Sequence, residues 1–340
     1  MNRKNFLTSL IPLLPVLSMA KENSTAFAFP ECAGKIPPYL SKGDIIAITC
    51  PSGFITTEDI QPAVEKIKQW GFGIRIGATV GARDFTFAGT DEERRNDFQN
   101  MLDDPSIKAI MLGRGGYGAV RIIDAIDFKK FSLKPKWIIG FSDATVIHSH
   151  LNKNFGIASI HAKMCNSFPA DWQLAEQTQI DSIESIRKCL AGDKMQYPVI
   201  VNERNRAGSG EGVLVGGNLS ILENLAATNS DINTDDKILF IEEVGEYLYN
   251  IDRMLWNLKR SGKFNKLKAL VIGAMKNRPD DAGEEFGKTV YDMVLEKVKE
   301  YGYPVCFDFP VGHQKENYAL KCGVAHQLIV NENYVELKEI

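Results

Sequence analysis

Short apolar runs alternate with helical patterns over the first half of the chain, and this alternation constrains the fold more than any other feature. The runs that read as buried strands include KGDIIAIT (42–49), IKAIML (107–112), WIIGF (137–141) and GIASI (156–160). Between them apolar residues recur at helical spacing, and Thr90 with Glu93 forms a capping box where one helix begins. Strands alternating with helices predict a parallel sheet covered on both faces, so we expect a doubly wound, flavodoxin-like α/β domain.

The second half of the chain has a different pattern. Residues 172–194 read as a polar helix, and the glycine-containing strands and helices that follow predict a mixed α/β domain. A chain of 340 residues is long for one domain. We therefore expect an N-terminal domain at 35–165, a connector at 166–205 and a C-terminal domain at 206–340, with the catalytic cleft between the two domains.

The first 28 residues resemble an export signal. Arg3 and Lys4 precede an apolar stretch that is broken by proline, and small residues at 18–20 and 26–28 fit the cleavage pattern. The alternative is an uncleaved helix at the membrane surface. A removed signal predicts an exported, periplasmic protein without stable membrane insertion.

Net charge and cysteine spacing argue against two classes of function. The chain has a formal net charge of −3 and no basic stripe interleaved with aromatic residues, which argues against nucleic-acid binding. Its six cysteines form no C-x-x-C pair, so they do not predict a metal site.

Ser142 lies where an apolar strand gives way to a helix. The segment Gly140-Phe141-Ser142-Asp143-Ala144 resembles the G-x-S-x-G turn that presents a nucleophilic serine, with alanine at the last position. Beside a helix N-terminus, free backbone N–H groups also favour developing negative charge. The alternative is that the serine only caps the helix.

A glycine-rich loop precedes this turn and allows three interpretations. Gly113, Gly115 and Gly118 form a literal G-x-G-x-x-G between a strand and a helix, which is typical of nicotinamide dinucleotide binding. In a second interpretation the loop faces Ser142, and backbone N–H groups near Gly116 and of Asp143 form an oxyanion hole. In the third, the glycines only permit a tight turn.

A serine nucleophile needs a general base, which is most often a histidine oriented by a carboxylate. His313 lies in a polar loop after a strand and suits this role, whereas His161 ends a strand at the expected ligand edge and is a candidate for substrate contact. The other histidines read as structural, namely His148, His150 and His326.

Two adjacent carboxylates, Glu242 and Glu243, follow the apolar strand ILFI at 238–241. Because neighbouring strand residues face opposite ways, only one of the two carboxylates points into the cleft. On composition alone, helix capping by these carboxylates is the stronger interpretation.

Five segments together carry a resemblance to a known family. They are GRGGYGA, IIGFSDAT, GVLVGGNLSIL, LFIEEVGEYLYNIDRMLWNLKRSG and GHQKENYALKCG. In this order and spacing the chain resembles the serine L,D-carboxypeptidase family, which includes murein tetrapeptide carboxypeptidases and microcin C immunity peptidases. The resemblance extends from about Lys35 to Leu337.

The resemblance implies a catalytic triad of Ser142, Glu242 and His313, with Gly116 and Asp143 supplying the oxyanion-hole amides. It also implies a homodimer with no metal or organic cofactor. Many members read His-Gly-Pro after the fifth strand, whereas this chain reads His-Ala-Lys at 161–163. That departure falls near the expected substrate edge.

The implied reaction is release of the terminal D-alanine from murein tetrapeptides. An exopeptidase must bind a free carboxylate, and Arg114 is a candidate for this task unless it is an ordinary surface arginine. The alternative activity is cleavage of peptidyl or aminoacyl nucleotide analogues, as in the microcin C immunity peptidases. Outside the hydrolases, a non-catalytic wall-peptide binding protein and a nicotinamide oxidoreductase are the other hypotheses. Many relatives are cytoplasmic, which is the alternative localisation.

Overall fold

A computed structural model describes residues 34–340, so the predicted export signal at 1–28 lies outside the described residues. The strands in chain order are β1 (Ile45–Thr49), β2 (Gly73–Ile76), β3 (Ile107–Leu112), β4 (Trp137–Gly140), β5 (Ser159–His161), β6 (Gln196–Val199), β7 (Gly208–Asn218), β8 (Lys237–Val244), β9 (Ala269–Lys276), β10 (Val305–Cys306), β11 (Leu320–Cys322), β12 (Ala325–Val330) and β13 (Val335–Glu339). The helices are α1 (Gln61–Gln69), α2 (Asp91–Asp103), α3 (Ala119–Ile122), α4 (Lys129–Leu133), α5 (Thr145–Phe155), α6 (Gln177–Ala191), α7 (Leu219–Asn224), α8 (Leu248–Arg260) and α9 (Val290–Lys297).

The first sheet has the strand order β11-β5-β4-β3-β1-β2, and β1 to β5 are parallel neighbours. The order β2-β1-β3-β4-β5 is that of flavodoxin-like folds, in which ligands bind beyond the carboxyl ends of the strands. The central strands are almost entirely buried because helices cover both faces. The predicted doubly wound fold is therefore confirmed.

The second sheet is mixed, with the strand order β10-β9-β8-β7-β12-β13-β6. Strands β7 to β10 run parallel, whereas β12 pairs with β7 and β13 in antiparallel fashion. Helices α7, α8 and α9 pack on it around a core that includes Leu255, Phe264 and Phe307. This arrangement confirms the predicted mixed α/β character of the second half.

Segments of the second half hold the two sheets together. β11 pairs antiparallel with β5 and so supplies an edge strand to the first sheet. Near the predicted site, the backbone N–H of Asn218 at the end of β7 donates to Oγ1 of Thr145, the first residue of α5, at 3.0 Å. We refer below to the parts built on the two sheets as the first and second lobes. Among residues 34–340, no helix is long and apolar enough to span a membrane.

Candidate active site

The Ser142 turn is a tight strand-to-helix connection. Ser142 has φ of 62°, which is uncommon outside glycine, and it begins a single 3-10 turn that leads into α5. A Cβ on Gly140 would lie 3.0 Å from Cβ of Ala144, so small residues are needed at both ends of the turn. Strained backbone of this kind is concentrated at functional sites.

The glycine loop lies directly against Ser142. A Cβ on Gly115 would lie 3.1 Å from Ser142 Oγ and 3.3 Å from Cε of Met164. Gly116 is exposed and has φ of 105°, in the region that favours glycine. The loop follows β3 and leads into the four-residue helix α3. A dinucleotide-binding fingerprint normally follows the first strand of its domain and leads into a long helix, whereas this loop follows the third strand and leads into a short one.

The side chain of Asp143 ties this loop to the serine turn. Its Oδ2 accepts hydrogen bonds from Ser52 Oγ and from the backbone N–H of Ala119 at 2.8 Å. Burial raises the pKa of this carboxyl. The buried guanidinium of Arg94 supports the same region, because it donates to the carbonyl oxygens of Pro51 and Gly118. The loops after β1 and β3 are therefore fixed relative to Ser142.

Glu242 and His313 form a carboxylate–imidazole pair. His313 Nδ1 lies 2.7 Å from Oε2 of Glu242, and the His313 backbone N–H donates to the same oxygen at 3.2 Å. Glu242 is fully buried, whereas the His313 side chain is 21% exposed. Gly312 makes this approach possible: it has φ of 102°, and a Cβ there would lie 2.6 Å from the Glu242 side chain.

The register between β8 and β9 shifts between Ile241 and Glu243, so Glu242 lies at an irregularity in the ladder. Such bulges re-aim side chains near active sites. Glu243 faces the other way, where its carboxylate accepts from the backbone N–H of Ser220 in the first turn of α7 and from Asn218 Nδ2. Burial raises the pKa of Glu243. Helix capping is thus the role of Glu243, and Glu242 orients the histidine.

The aromatic ring of Phe141 connects the two halves of the predicted triad. The rings of Phe141 and His313 have their centroids 4.9 Å apart, and Phe141 immediately precedes Ser142. No hydrogen bond joins Ser142 to His313 within the described part of the chain. The structure therefore brings Glu242 and His313 together and sets the imidazole against the Ser142 turn, without a hydrogen bond between the hydroxyl and the ring.

His161 lies in the protein interior, behind the Phe141 ring. Its side chain is completely buried, and its ring packs edge-on against Phe141 and Phe240, with centroid distances of 5.9 and 5.0 Å. Burial lowers its pKa well below the ordinary value. Substrate contact by His161 finds no support, because the side chain has no exposed surface. His161 does end β5, as the sequence predicts, but the sequence does not reveal that Phe141 covers it.

The remaining candidates occupy less specific positions. Arg114 is exposed, and its Nη1 donates to the backbone oxygen of Phe54 at 3.0 Å. His148 is buried between Ser159 Oγ and the Gly140 carbonyl, and His326 is buried near Val324, as expected for structural residues. Arg94 is not predictable as a site residue from the sequence, since a charged helical segment such as DEERRNDF is typical of a solvated face.

A cavity of about 640 Å³ lies at the opposite edge of the first sheet, near the start of β1, β3 and β4. Its walls include Tyr39, Asp44 and Lys136, and they contain none of the predicted site residues. Cavity volume is therefore a poor guide to the site here. The described residues contain no cluster of histidine, cysteine and acidic side chains that could hold a metal ion.

Comparison with family models gives two matches. Residues 46–162 match the LD-carboxypeptidase N-terminal domain, and residues 211–328 match the LD-carboxypeptidase C-terminal domain. The first match contains Ser142 and the second contains Glu242 and His313. The resemblance seen in the sequence is therefore confirmed.

Individual relatives agree with this assignment. A Synechocystis protein assigned as a carboxypeptidase is 31% identical over 295 residues, 86% of this chain and 93% of the relative. The murein tetrapeptide carboxypeptidase of Pseudomonas aeruginosa is 29% identical over 285 residues, 82% of this chain and 91% of its own. The crystal structure of muramoyltetrapeptide carboxypeptidase from Oxalobacter formigenes has 27% identity and a TM-score of 0.77, covering 87% of this chain and 98% of that one. The chain therefore belongs to the LD-carboxypeptidase family and is a peptidase.

Proposed function

We propose that this protein is a serine L,D-carboxypeptidase that hydrolyses the bond before the terminal D-alanine of murein tetrapeptides. Ser142 is the nucleophile, His313 the general base and Glu242 the carboxylate that orients the histidine. The observation that carries the proposal is the pairing of the buried Glu242 with His313, whose imidazole packs against the strained Ser142 turn. The names of the relatives from Pseudomonas aeruginosa and Oxalobacter formigenes support the substrate class.

The hydrogen bond to Glu242 assigns the roles of the two ring nitrogens. With the Nδ1–H of His313 donating to Oε2, the unprotonated Nε2 is left to accept the proton of Ser142. The buried carboxylate then stabilises the imidazolium that forms. The hydrogen bond between Ser142 Oγ and His313 Nε2 forms when substrate binds, because catalytic hydrogen bonds are often long in the absence of substrate.

The reaction proceeds as an acyl transfer. Ser142 Oγ attacks the carbonyl carbon before the D-alanine, and backbone N–H groups of Gly116 and Asp143 bind the oxyanion. Each such donor contributes on the order of 3 kcal/mol of barrier lowering. His313 returns its proton to the departing amine as the C–N bond breaks. Water, deprotonated by His313, then hydrolyses the ester and restores the serine.

The direct test is to incubate murein tetrapeptides with the purified protein and to measure the release of D-alanine by mass spectrometry. We expect Ser142→Ala to abolish release and to remove labelling by a fluorophosphonate probe. Ser149→Ala is the matched control, because this buried hydroxyl has no hydrogen-bond partner and lies away from the turn. No D-alanine release by the wild type, or an active Ser142→Ala variant, would refute the proposal.

The same experiment separates the other hypotheses. Faster turnover of aminoacyl or peptidyl nucleotide analogues, measured side by side with tetrapeptide, would identify the microcin C immunity type of activity. Binding of wall peptide without turnover or labelling would identify a non-catalytic binding protein. Saturable nicotinamide binding would favour the oxidoreductase hypothesis.

Export and dimerisation belong to the same proposal. Removal of residues 1–28 would release the enzyme on the periplasmic side, where murein is the substrate; a protein that keeps these residues in the cytoplasm would act on recycled fragments. N-terminal sequencing of the mature protein from separated cell fractions decides between them. Light scattering in solution tests the expected homodimer.

A further inference from the structure

One buried lysine of this protein has fewer partners than the others. Four lysines within residues 34–340 are at least nine-tenths buried: Lys136, Lys163, Lys297 and Lys321. Lys297 and Lys321 form ion pairs with carboxylates, and Lys136 donates to two backbone carbonyls. Lys163 donates to a single neutral acceptor, the backbone oxygen of Gln314 at 3.2 Å.

This arrangement is costly in the free protein. An ammonium group has three N–H donors, and burying a charge without a counter-ion costs several kcal/mol. Burial, followed by repulsion from Lys276, lowers the pKa of Lys163 to about 8. Within the described chain, Lys163 forms no ion pair with a carboxylate. The ammonium therefore has two N–H donors without a protein acceptor in the described residues, and an anion bound from solution could accept from them.

The position of Lys163 suggests which anion this is. Lys163 follows β5 at the carboxyl edge of the first sheet, and its hydrogen-bond acceptor Gln314 follows His313. The next residue, Met164, reaches the Gly115 position beside Ser142 Oγ. The Lys163 ammonium thus contacts the residue that follows the proposed base, and the next residue in the chain reaches the loop beside the proposed nucleophile.

We infer that Lys163 binds the free carboxylate at the C-terminus of the substrate and makes the enzyme an exopeptidase. The inference rests on the proposed function and adds the group that recognises the end of the peptide. The terminal carboxylate lies one residue beyond the scissile bond, about 3.5 Å along the chain, so the cation that binds it must border the nucleophile. Arg114 is less suited, because it is exposed and already donates to Phe54.

The test compares two substrates that differ only at the C-terminus: the tetrapeptide with a free D-alanine carboxylate and the same peptide as its carboxamide. We expect the wild type to prefer the acid by about 10²-fold in kcat/KM, as for loss of one partner of a buried charged pair. Lys163→Met should bring this ratio to within about threefold of one, mainly by slowing turnover of the acid. Lys163→Arg should retain most of the preference, because it keeps the charge.

Lys136→Met is the matched control, since Lys136 is equally buried but lies at the opposite edge of the sheet. It should leave the ratio unchanged. A purely structural role for Lys163 would lower kcat/KM for both substrates alike and keep their ratio, which would overturn the inference. A ratio that is lost in Arg114→Met and kept in Lys163→Met would assign carboxylate binding to Arg114 instead.

A wild-type measurement covers the case in which Lys163→Met does not fold. Above pH 8 the free enzyme loses the charge on Lys163, so kcat/KM for the acid should fall relative to the carboxamide. The nearby ionisable groups of Lys276, His313 and Glu242 affect both substrates, and the ratio cancels their contribution to catalysis. A ratio that is constant from pH 7 to about 9.5 would contradict the inference. If the wild type releases no D-alanine at any pH, the proposed function fails instead.

Discussion

Replacing Gly115 with alanine tests whether the glycine loop touches the proposed nucleophile. Gly115 does not have the positive φ that only glycine adopts readily, so the backbone accepts alanine. The new methyl would lie 3.0 Å from Ser142 Cβ, 3.1 Å from its Oγ and 3.3 Å from Met164 Cε. Carbon atoms prefer separations of about 3.5 to 4.0 Å, so Ser142 must move by a few tenths of an ångström.

The expected effect is a moderate loss of both rate and stability. Overpacking of this kind costs about 1–3 kcal/mol of unfolding free energy, part of which the flexible Met164 side chain relieves. A misplacement of about 1 Å at a reacting atom costs about 10²-fold in rate, so a shift of a few tenths of an ångström costs a smaller factor. We therefore expect kcat of Gly115→Ala to fall by about 3- to 10-fold in the D-alanine release assay, with a modest change in KM.

Gly302→Ala provides the comparison, because Gly302 also lacks a positive φ and a Cβ there meets no atom within 4 Å. It should match the wild type in both rate and thermal unfolding. Wild-type kcat in a folded Gly115→Ala variant would refute the reasoning, since it would mean that Ser142 does not react from this position.

Three further predictions concern the paired glutamates and the buried histidines. Glu242→Gln should lower kcat by about 10³- to 10⁴-fold with KM little changed, because the amide no longer fixes the His313 tautomer; unchanged steady-state kinetics would exclude this role. Glu243→Gln should keep kcat but lower the urea-derived unfolding free energy by about 1–2 kcal/mol, since this carboxylate caps α7; a large loss of kcat would show that the two roles are reversed. Burial lowers the pKa of His148 and His326 to about 4, whereas the unfolded value is about 6.5. The stability that each neutral histidine contributes is therefore fully present above pH 6.5, and the unfolding free energy falls by up to about 3 kcal/mol per histidine as the pH drops to 4. Urea midpoints that do not change between pH 7.5 and 5 would contradict this.

The sequence predicts local features of the fold well where short-range chemistry decides them. β3 spans 107–112 as the apolar run indicated, and the Thr90–Glu93 capping box forms at the start of α2. The residues from about Thr56 to Trp70 have a helical pattern, but α1 begins only at Gln61, where Pro62 lies in the first turn, because proline suits that position. The short helix α4 was not predicted, since five residues give little periodicity.

Long-range contacts decide what the sequence does not reveal about the site. The pattern of β8 limited the orienting acid to Glu242 or Glu243, but only the glycines that make room for Glu242 and the helix end beneath Glu243 tell them apart. Burial of His161 depends on Phe141 and Phe240, which lie far from each other in the chain. The predicted domain boundaries at 165 and 206 stay predictions.

Pairing of β11 with β5 affects how the chain folds during synthesis. One edge of the first sheet is supplied by residues 320–322, so a nascent chain on the ribosome leaves β5 without its antiparallel neighbour until these residues have been synthesised. An unpaired edge invites association with other chains, which makes this interval the one in which a chaperone is most useful. A gene fragment that ends after the first lobe would preserve that vulnerable state permanently.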